Sequence, residues 1–99
     1  QLADQLVSLI NELETRPNLK PAQKKALTDA QAKLPFVFGL LRDGKVPEGL
    51  INDMILFIQK INGGELSEAN QIRKNAIVNH MANCRDAVLI MNYISSSIR

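Results

Sequence analysis

The sequence is poor in the residues from which covalent, metal-bound and aromatic sites are built. Its 99 residues include one cysteine, one histidine, one tyrosine, three phenylalanines and no tryptophan. A single cysteine excludes a disulfide within the chain, and nothing in the composition favours an oxidising compartment. No apolar run approaches the roughly 20 residues that cross a bilayer, and the first residues lack the pattern of a signal peptide. We therefore expect a cytosolic or nuclear chain without direct membrane insertion.

An excess of charge of one sign is also missing. Twelve basic and ten acidic residues give a formal net charge of +2, which is too balanced to drive binding to nucleic acid or anionic lipid. What the chain does have is 45% hydrophobic residues, enough for one core but, at this length, not for two. We predict a single domain over residues 1–99. Because the sequence begins at Gln1 and not at methionine, we interpret it as an excised domain of a longer protein.

Apolar residues recur at three- and four-residue intervals over most of the sequence, which is the spacing of amphipathic helices. Proline near the start of a segment and glycine after its end mark several boundaries. The pattern predicts an all-α fold, a single five-helix bundle, with a strand over residues 88–94 as the alternative for that stretch. The predicted helices cover about residues 2–14, 21–43, 47–62, 67–79 and 80–95.

Particular residues and segments refine this prediction. Pro35 interrupts the apolar stripe of the second helix, and we expect either a kink there or two abutting helices, because an internal proline removes a hydrogen bond. Gly44 is predicted to end that helix in the left-handed conformation, and Ser67 is predicted to cap the fourth helix. The apolar arc of the third helix, roughly 160° wide at about 100° per residue, predicts two neighbouring helices. The last helix is apolar nearly all round, so we expect it to be central or covered by a partner.

No arrangement of residues points to catalysis or to metal binding. On one helix His80 and Cys84 would share a face, but each is the only residue of its kind, and a metal site would need two further ligands. The carboxylates are dispersed without an acid–base spacing. Gly63-Gly64 follows a helix, whereas a phosphate-binding loop follows a strand. We therefore expect no enzymatic activity, no cofactor, no metal and no small-molecule substrate.

Apolar side chains beyond what a small bundle buries are the stronger functional signal. Leu56 lies outside the apolar arc of its helix, and Ile90 and Tyr93 belong to the helix that is apolar nearly all round. We predict that these three residues form a docking patch for a protein partner, with Arg42 and Lys45 at a turn as polar orienting residues. The alternative is a scattered surface leucine beside a central helix.

Several segments together resemble a known helical domain. They are Lys33 to Leu41, the turn Arg42-Asp-Gly-Lys-Val-Pro47, the junction Ile61-Asn-Gly-Gly-Glu-Leu-Ser-Glu-Ala69 with Ile72, and the stretch Asn79 to Ile94. This arrangement covers roughly residues 22–94. It is similar to the helical domain shared by the steroid receptor RNA activator protein and the C-terminal end of the large outer-coat subunit of COPII vesicles. The resemblance implies a small all-helical bundle that works by contacting other proteins.

The leading portion, with Lys24-Lys25, looks more like the coat version of this domain. Both groups tend to carry a large aromatic residue in the last helix, where this chain has Ala87 followed by Val88. That departure fits a divergent coat subunit better than a close relative of the activator protein.

The resemblance therefore implies a non-enzymatic interaction domain at the C-terminal end of a COPII outer-coat subunit. Such a domain would contribute to coat assembly in ER-to-Golgi transport by contacting other coat proteins, in the cytoplasm at ER exit sites and on COPII vesicles. The alternatives are a nuclear co-regulator module and an RNA-binding helical bundle. RNA binding is the lesser alternative, because the basic residues between 20 and 45 scatter around the polar side of the second helix.

Overall fold

The computed structural model describes residues 2–98, and within them it contains five α-helices and no strand. The predicted all-α, five-helix bundle is therefore confirmed. No helix in this range is long and apolar enough to span a membrane. The helices are α1 (Leu2–Glu14), α2 (Pro21–Arg42), α3 (Glu48–Asn62), α4 (Leu66–His80) and α5 (Arg85–Ser97).

Proline and glycine mark the helix ends as the sequence predicts. Pro21 is the first residue of α2, where its missing N–H costs no hydrogen bond. Gly44 and Gly64 follow α2 and α3 with φ of +68° and +76°, a conformation that favours glycine. After each of them the chain turns back, and the N–H of Lys45 donates to the Leu40 carbonyl at 2.9 Å. The left-handed ending predicted at Gly44 is thus confirmed.

The start of α4 differs from the prediction. Ser67 lies inside the first turn, and the capping residue is Glu65, because the turn at Gly64 places the Glu65 N–H against the Lys60 carbonyl at 2.8 Å and the helix begins directly afterwards. Lys60 Nζ also lies 3.2 Å from Glu65 Oε2 and 3.1 Å from Glu68 Oε2. Hydrogen bonds to Glu68 and Glu65 raise the pKa of Lys60 above its ordinary value. Ion pairs thus link the end of α3 to the start of α4.

Two further boundaries depart from expectation. The second helix is continuous through Pro35, so the alternative of two abutting helices is wrong. Turn residues 81–83 separate α4 from α5. His80 consequently ends one helix while Cys84 caps the next, and the premise that they share one helix face is wrong.

The five helices close into a ring whose order differs from their order in the sequence. Going round it, α1 packs on α2, α2 on α5, α5 on α4, α4 on α3, and α3 again on α1. The two neighbours predicted for α3 are thus α4 and α1. The last helix has the most buried residues of the five, seven, and it packs on α2 and α4. Fully buried large side chains at the centre include Leu6, Ile10, Leu27, Leu50, Met54, Phe57, Ile90, Met91 and Ile94.

Candidate docking groove

The structure does not gather the predicted docking patch onto one surface. Leu56 is exposed on α3, with 42% of its surface accessible, as the helix pattern predicts. Ile90 has 0% of its surface accessible, so its prediction as a contact residue is wrong: it is part of the buried core. Tyr93 is partly buried on α5. In the ring α4 lies between α3 and α5, so Leu56 and Tyr93 belong to helices that are not neighbours.

The two predicted polar residues lie on either side of the turn after α2. Arg42 is the last residue of α2, and its side chain is 80% exposed. Lys45 is exposed as well, and its backbone carbonyl accepts a hydrogen bond from Cys84 Sγ at 3.5 Å. This contact ties the turn after α2 to the start of α5. Arg42 thus remains available at the surface, whereas the backbone of Lys45 has a structural role.

A groove bounded by α1, α2 and α3 brings together several of the apolar side chains that the bundle leaves partly uncovered. Its volume is about 490 Å³. Its walls are the last two turns of α2 and the first two turns of α3, where spacings of three and four residues place several side chains on one face of each helix. The residues that line it are Leu2, Ala3, Phe38, Leu41, Arg42, Ile51 and Ile55.

The groove exists because its two walls barely pack against each other. Both α2 and α3 pack on α1, but α2 and α3 are not among the helix pairs with extensive contact. Leu2 at the start of α1 is buried in the space between them. Phe38, Leu41, Ile51 and Ile55 remain only partly buried. An apolar surface of this kind, gathered from three helices, differs from an isolated exposed leucine.

Among the described residues, Arg42 is the one charged residue in the groove lining. Its guanidinium folds back along α2, with Nη2 3.9 Å from the point that a Cβ on Gly39 would occupy. Its Nε lies 3.4 Å from Oδ1 of the adjacent Asp43, a contact between two exposed neighbours that contributes little stability. The groove is therefore apolar along its walls and positively charged at one edge.

The other exposed apolar side chains do not form a comparable surface. Phe36 projects from α2 beside Lys33, whose Nζ lies 5.7 Å from the ring centroid. That lysine also pairs with Asp86 of α5 at 2.9 Å. Leu66 and Val78 are exposed near opposite ends of α4. These residues are dispersed over two helices.

A second groove, between α1 and α3, is lined mainly by polar side chains and has a volume of about 420 Å³. Its two carboxylates, Asp4 and Glu12, are exposed and lie two turns apart on α1. Across residues 2–98, no group of three or more histidine, cysteine and carboxylate side chains is placed to hold a metal ion. The polar lining of this groove favours contact with water.

His80 and Cys84 have separate environments. His80 Nε2 lies 4.0 Å from Asp53 Oδ2 on α3, whereas the Cys84 thiol is buried and donates to the Lys45 carbonyl. Burial raises the pKa of the Cys84 thiol. A buried, protonated thiol lacks the nucleophilicity of a reactive cysteine.

The residues of the apolar groove were recognisable in the sequence only as core positions. Phe38 and Leu41 belong to the stripe of α2, and Ile51 and Ile55 belong to the wide apolar arc of α3. The width of that arc was the available signal of an uncovered surface, since Ile51 and Ile55 stay partly exposed although α3 packs on α1 and α4. The position of the uncovered part depends on how the three helices cross.

Comparison with known proteins adds no assignment. No protein-family model matches the chain, and neither curated proteins nor solved structures give a match.

Proposed function

We propose that this domain is a non-enzymatic protein–protein interaction module that docks its partner in the groove bounded by α1, α2 and α3. The observation that supports this most directly is the set of partly buried apolar side chains on two walls that are not among the helix pairs with extensive contact. Covering such a surface removes apolar area from water, at roughly 25 cal/mol per Å². A groove of this form suits an apolar segment of another protein better than a polar small molecule.

The cellular setting we propose is the coat of COPII vesicles, at the C-terminal end of an outer-coat subunit. The support is the motif resemblance over roughly residues 22–94, together with a helical bundle of the expected kind. In a coat lattice many copies act together, so a weak contact per domain becomes useful through avidity. The partner would be another coat protein in the cytoplasm at ER exit sites. A nuclear co-regulator module is the alternative that the same motifs allow, and the location of the full-length protein separates the two.

Adjacent residues on α3 provide a matched test of the docking surface. Ile55 lines the groove, whereas Leu56 is exposed outside its lining. Ile55→Ala and Leu56→Ala remove apolar side chains of similar size from the same helix, and both replacements favour helix. Binding to purified outer- and inner-coat proteins would be measured by titration calorimetry, with far-UV circular dichroism and thermal melting to check the fold.

We expect Ile55→Ala to weaken binding by about tenfold, which is about 1.4 kcal/mol, and Leu56→Ala to leave it unchanged. Leu41→Ala, on the opposite wall, should act like Ile55→Ala. Unchanged binding in both groove variants, with the fold intact, would exclude the groove as the docking surface. A loss confined to Leu56→Ala would instead support the surface predicted from the sequence.

A further inference from the structure

We infer that the occupant of the groove is an amphipathic helical segment of the partner protein that carries acidic residues beside its apolar anchors. This inference rests on the proposed function and specifies the chemistry of the partner. It follows from the volume of the groove, the spacing of the apolar residues along its walls and the position of Arg42.

The volume sets what enters the groove. One turn of an α-helix, about 10 Å wide and 5.4 Å tall, encloses roughly 420 Å³. The groove holds about 490 Å³, close to the volume of one such turn, which is room for the apolar side chains on one face of a docked helix. The body of the docked helix would remain in the solvent above Phe38 and Ile55.

The spacing of the apolar residues on the two walls favours a helical occupant. Phe38 and Leu41 are three residues apart on α2, and Ile51 and Ile55 are four residues apart on α3. A helix that lies in such a groove inserts apolar residues at positions i, i+3 or i+4, and i+7. An extended strand would gain less, because this surface offers no sheet edge with free backbone groups.

The charge selects among amphipathic helices. Within residues 2–98, Arg42 is the only charged residue of the lining, and its contact with Asp43 uses Nε. Within residues 2–98, its two terminal nitrogens make no ion pair. The planar guanidinium is suited to hold a carboxylate through two parallel hydrogen bonds. Asp43 and Glu48 flank the following turn outside the lining, so the charge that a docked segment meets in the groove is positive.

Two synthetic peptides test this inference directly. Both carry leucines at i, i+3 and i+7 on an alanine-rich helix, and they differ only in having glutamate or lysine at the flanking positions. Fluorescence anisotropy with the intact 99-residue chain, at low and at high salt, gives their affinities. We expect the glutamate peptide to bind at least about fivefold more tightly at low salt, and the difference to shrink as salt screens it.

Charge reversal locates the effect. Arg42→Glu should reverse the preference between the two peptides, and Arg42→Gln should abolish it. Lys74 is an exposed cation on α4, away from the groove, so Lys74→Glu makes the same change in net charge and should leave the preference intact. Circular dichroism verifies the fold of each variant.

The outcomes separate this inference from the proposed function. Equal binding of both peptides, tighter binding of the lysine peptide, or no binding of either would overturn the acidic-helix occupant. An effect of Lys74→Glu equal to that of Arg42→Glu would also overturn it, since general charge would then suffice. If coat-protein binding still depends on Ile55 in any of these cases, the groove stands as the docking surface and only its assigned occupant falls.

Discussion

Pro35 provides a sharp test of how α2 is built, because replacing it with alanine is expected to stabilise the domain. The residue is exposed inside a continuous helix. Proline has no N–H to donate to the carbonyl of Gln31, four residues earlier, and its ring crowds that carbonyl. In a helix interior proline is about 3 kcal/mol less favourable than alanine. Its stiffening of the unfolded chain offsets about 0.4–1 kcal/mol of that difference, so Pro35→Ala should gain about 2 kcal/mol.

Urea denaturation measures this gain as a higher midpoint at constant slope. In thermal melts, about 4–8 °C per kcal/mol for a domain of this size gives a rise in Tm of roughly 8–16 °C. The control is Ala32→Gly, at an exposed position in the same helix, which should cost about 1 kcal/mol. If Ala32→Gly behaves normally and Pro35→Ala brings no gain, the reasoning is refuted. That result would mean that α2 needs a bend at Pro35 to pack on α5. Straightening the helix would then cost as much free energy as the recovered hydrogen bond contributes.

Three further outcomes follow from particular residues. The Ser95 hydroxyl is buried without a hydrogen-bond partner within residues 2–98. Ser95→Ala should therefore raise the free energy of unfolding by about 1 kcal/mol in urea titrations. Destabilisation would indicate that the hydroxyl does have a hydrogen-bond partner. Gly44→Ala should cost about 1–2 kcal/mol at its φ of +68°, and Gly44→Asn should cost less; equal losses would contradict the conformational explanation. Cys84 is 2% exposed, and native alkylation should be slow until urea opens the fold. Burial raises the pKa of the Cys84 thiol above its ordinary value of 9.0. The contribution of the protonated thiol to the free energy of unfolding is therefore complete below pH 9 and declines at higher pH. Cys84→Ala should weaken this decline.

The helices themselves were predictable because their signals are local. Leu2, Leu6, Leu9 and Leu13 define α1 by spacing alone, and all four are buried. Gly44 marks the end of α2 through a backbone conformation that few other residues adopt. The start of α4 was misplaced because a serine in a first turn resembles a capping serine. Here the turn at Gly64 decides the boundary, and it makes Glu65 the cap.

The docking surface was harder to predict because exposure depends on neighbours far away in sequence. Ile90 and Leu56 look alike as apolar residues on helices, and α5 and α3 each pack on two other helices. Ile90 lies on a covered face and is fully buried, whereas Leu56 lies on an open face and is 42% exposed. The spacing of apolar residues places Phe38 and Ile55 on the apolar faces of their helices. Only the crossing of α1, α2 and α3 shows that they border open space. A periodic pattern identifies the faces of helices, whereas the gaps between them are set by tertiary packing.

The ring order of the helices has a consequence for how the chain acquires its fold during synthesis. The principal packing partner of α2 is α5, the last of the five described helices in chain order. Until residues 85–97 leave the ribosome, the face of α2 that packs on α5 has no cover, and the growing chain presents apolar surface to chaperones and to other chains. We expect a chain that stops at His80 to be protease-sensitive and prone to aggregation despite carrying four of the five helices. For a domain so rich in helix, assembly thus depends on contacts that span more than half of the sequence, and folding should be slower than in bundles that pack neighbour on neighbour.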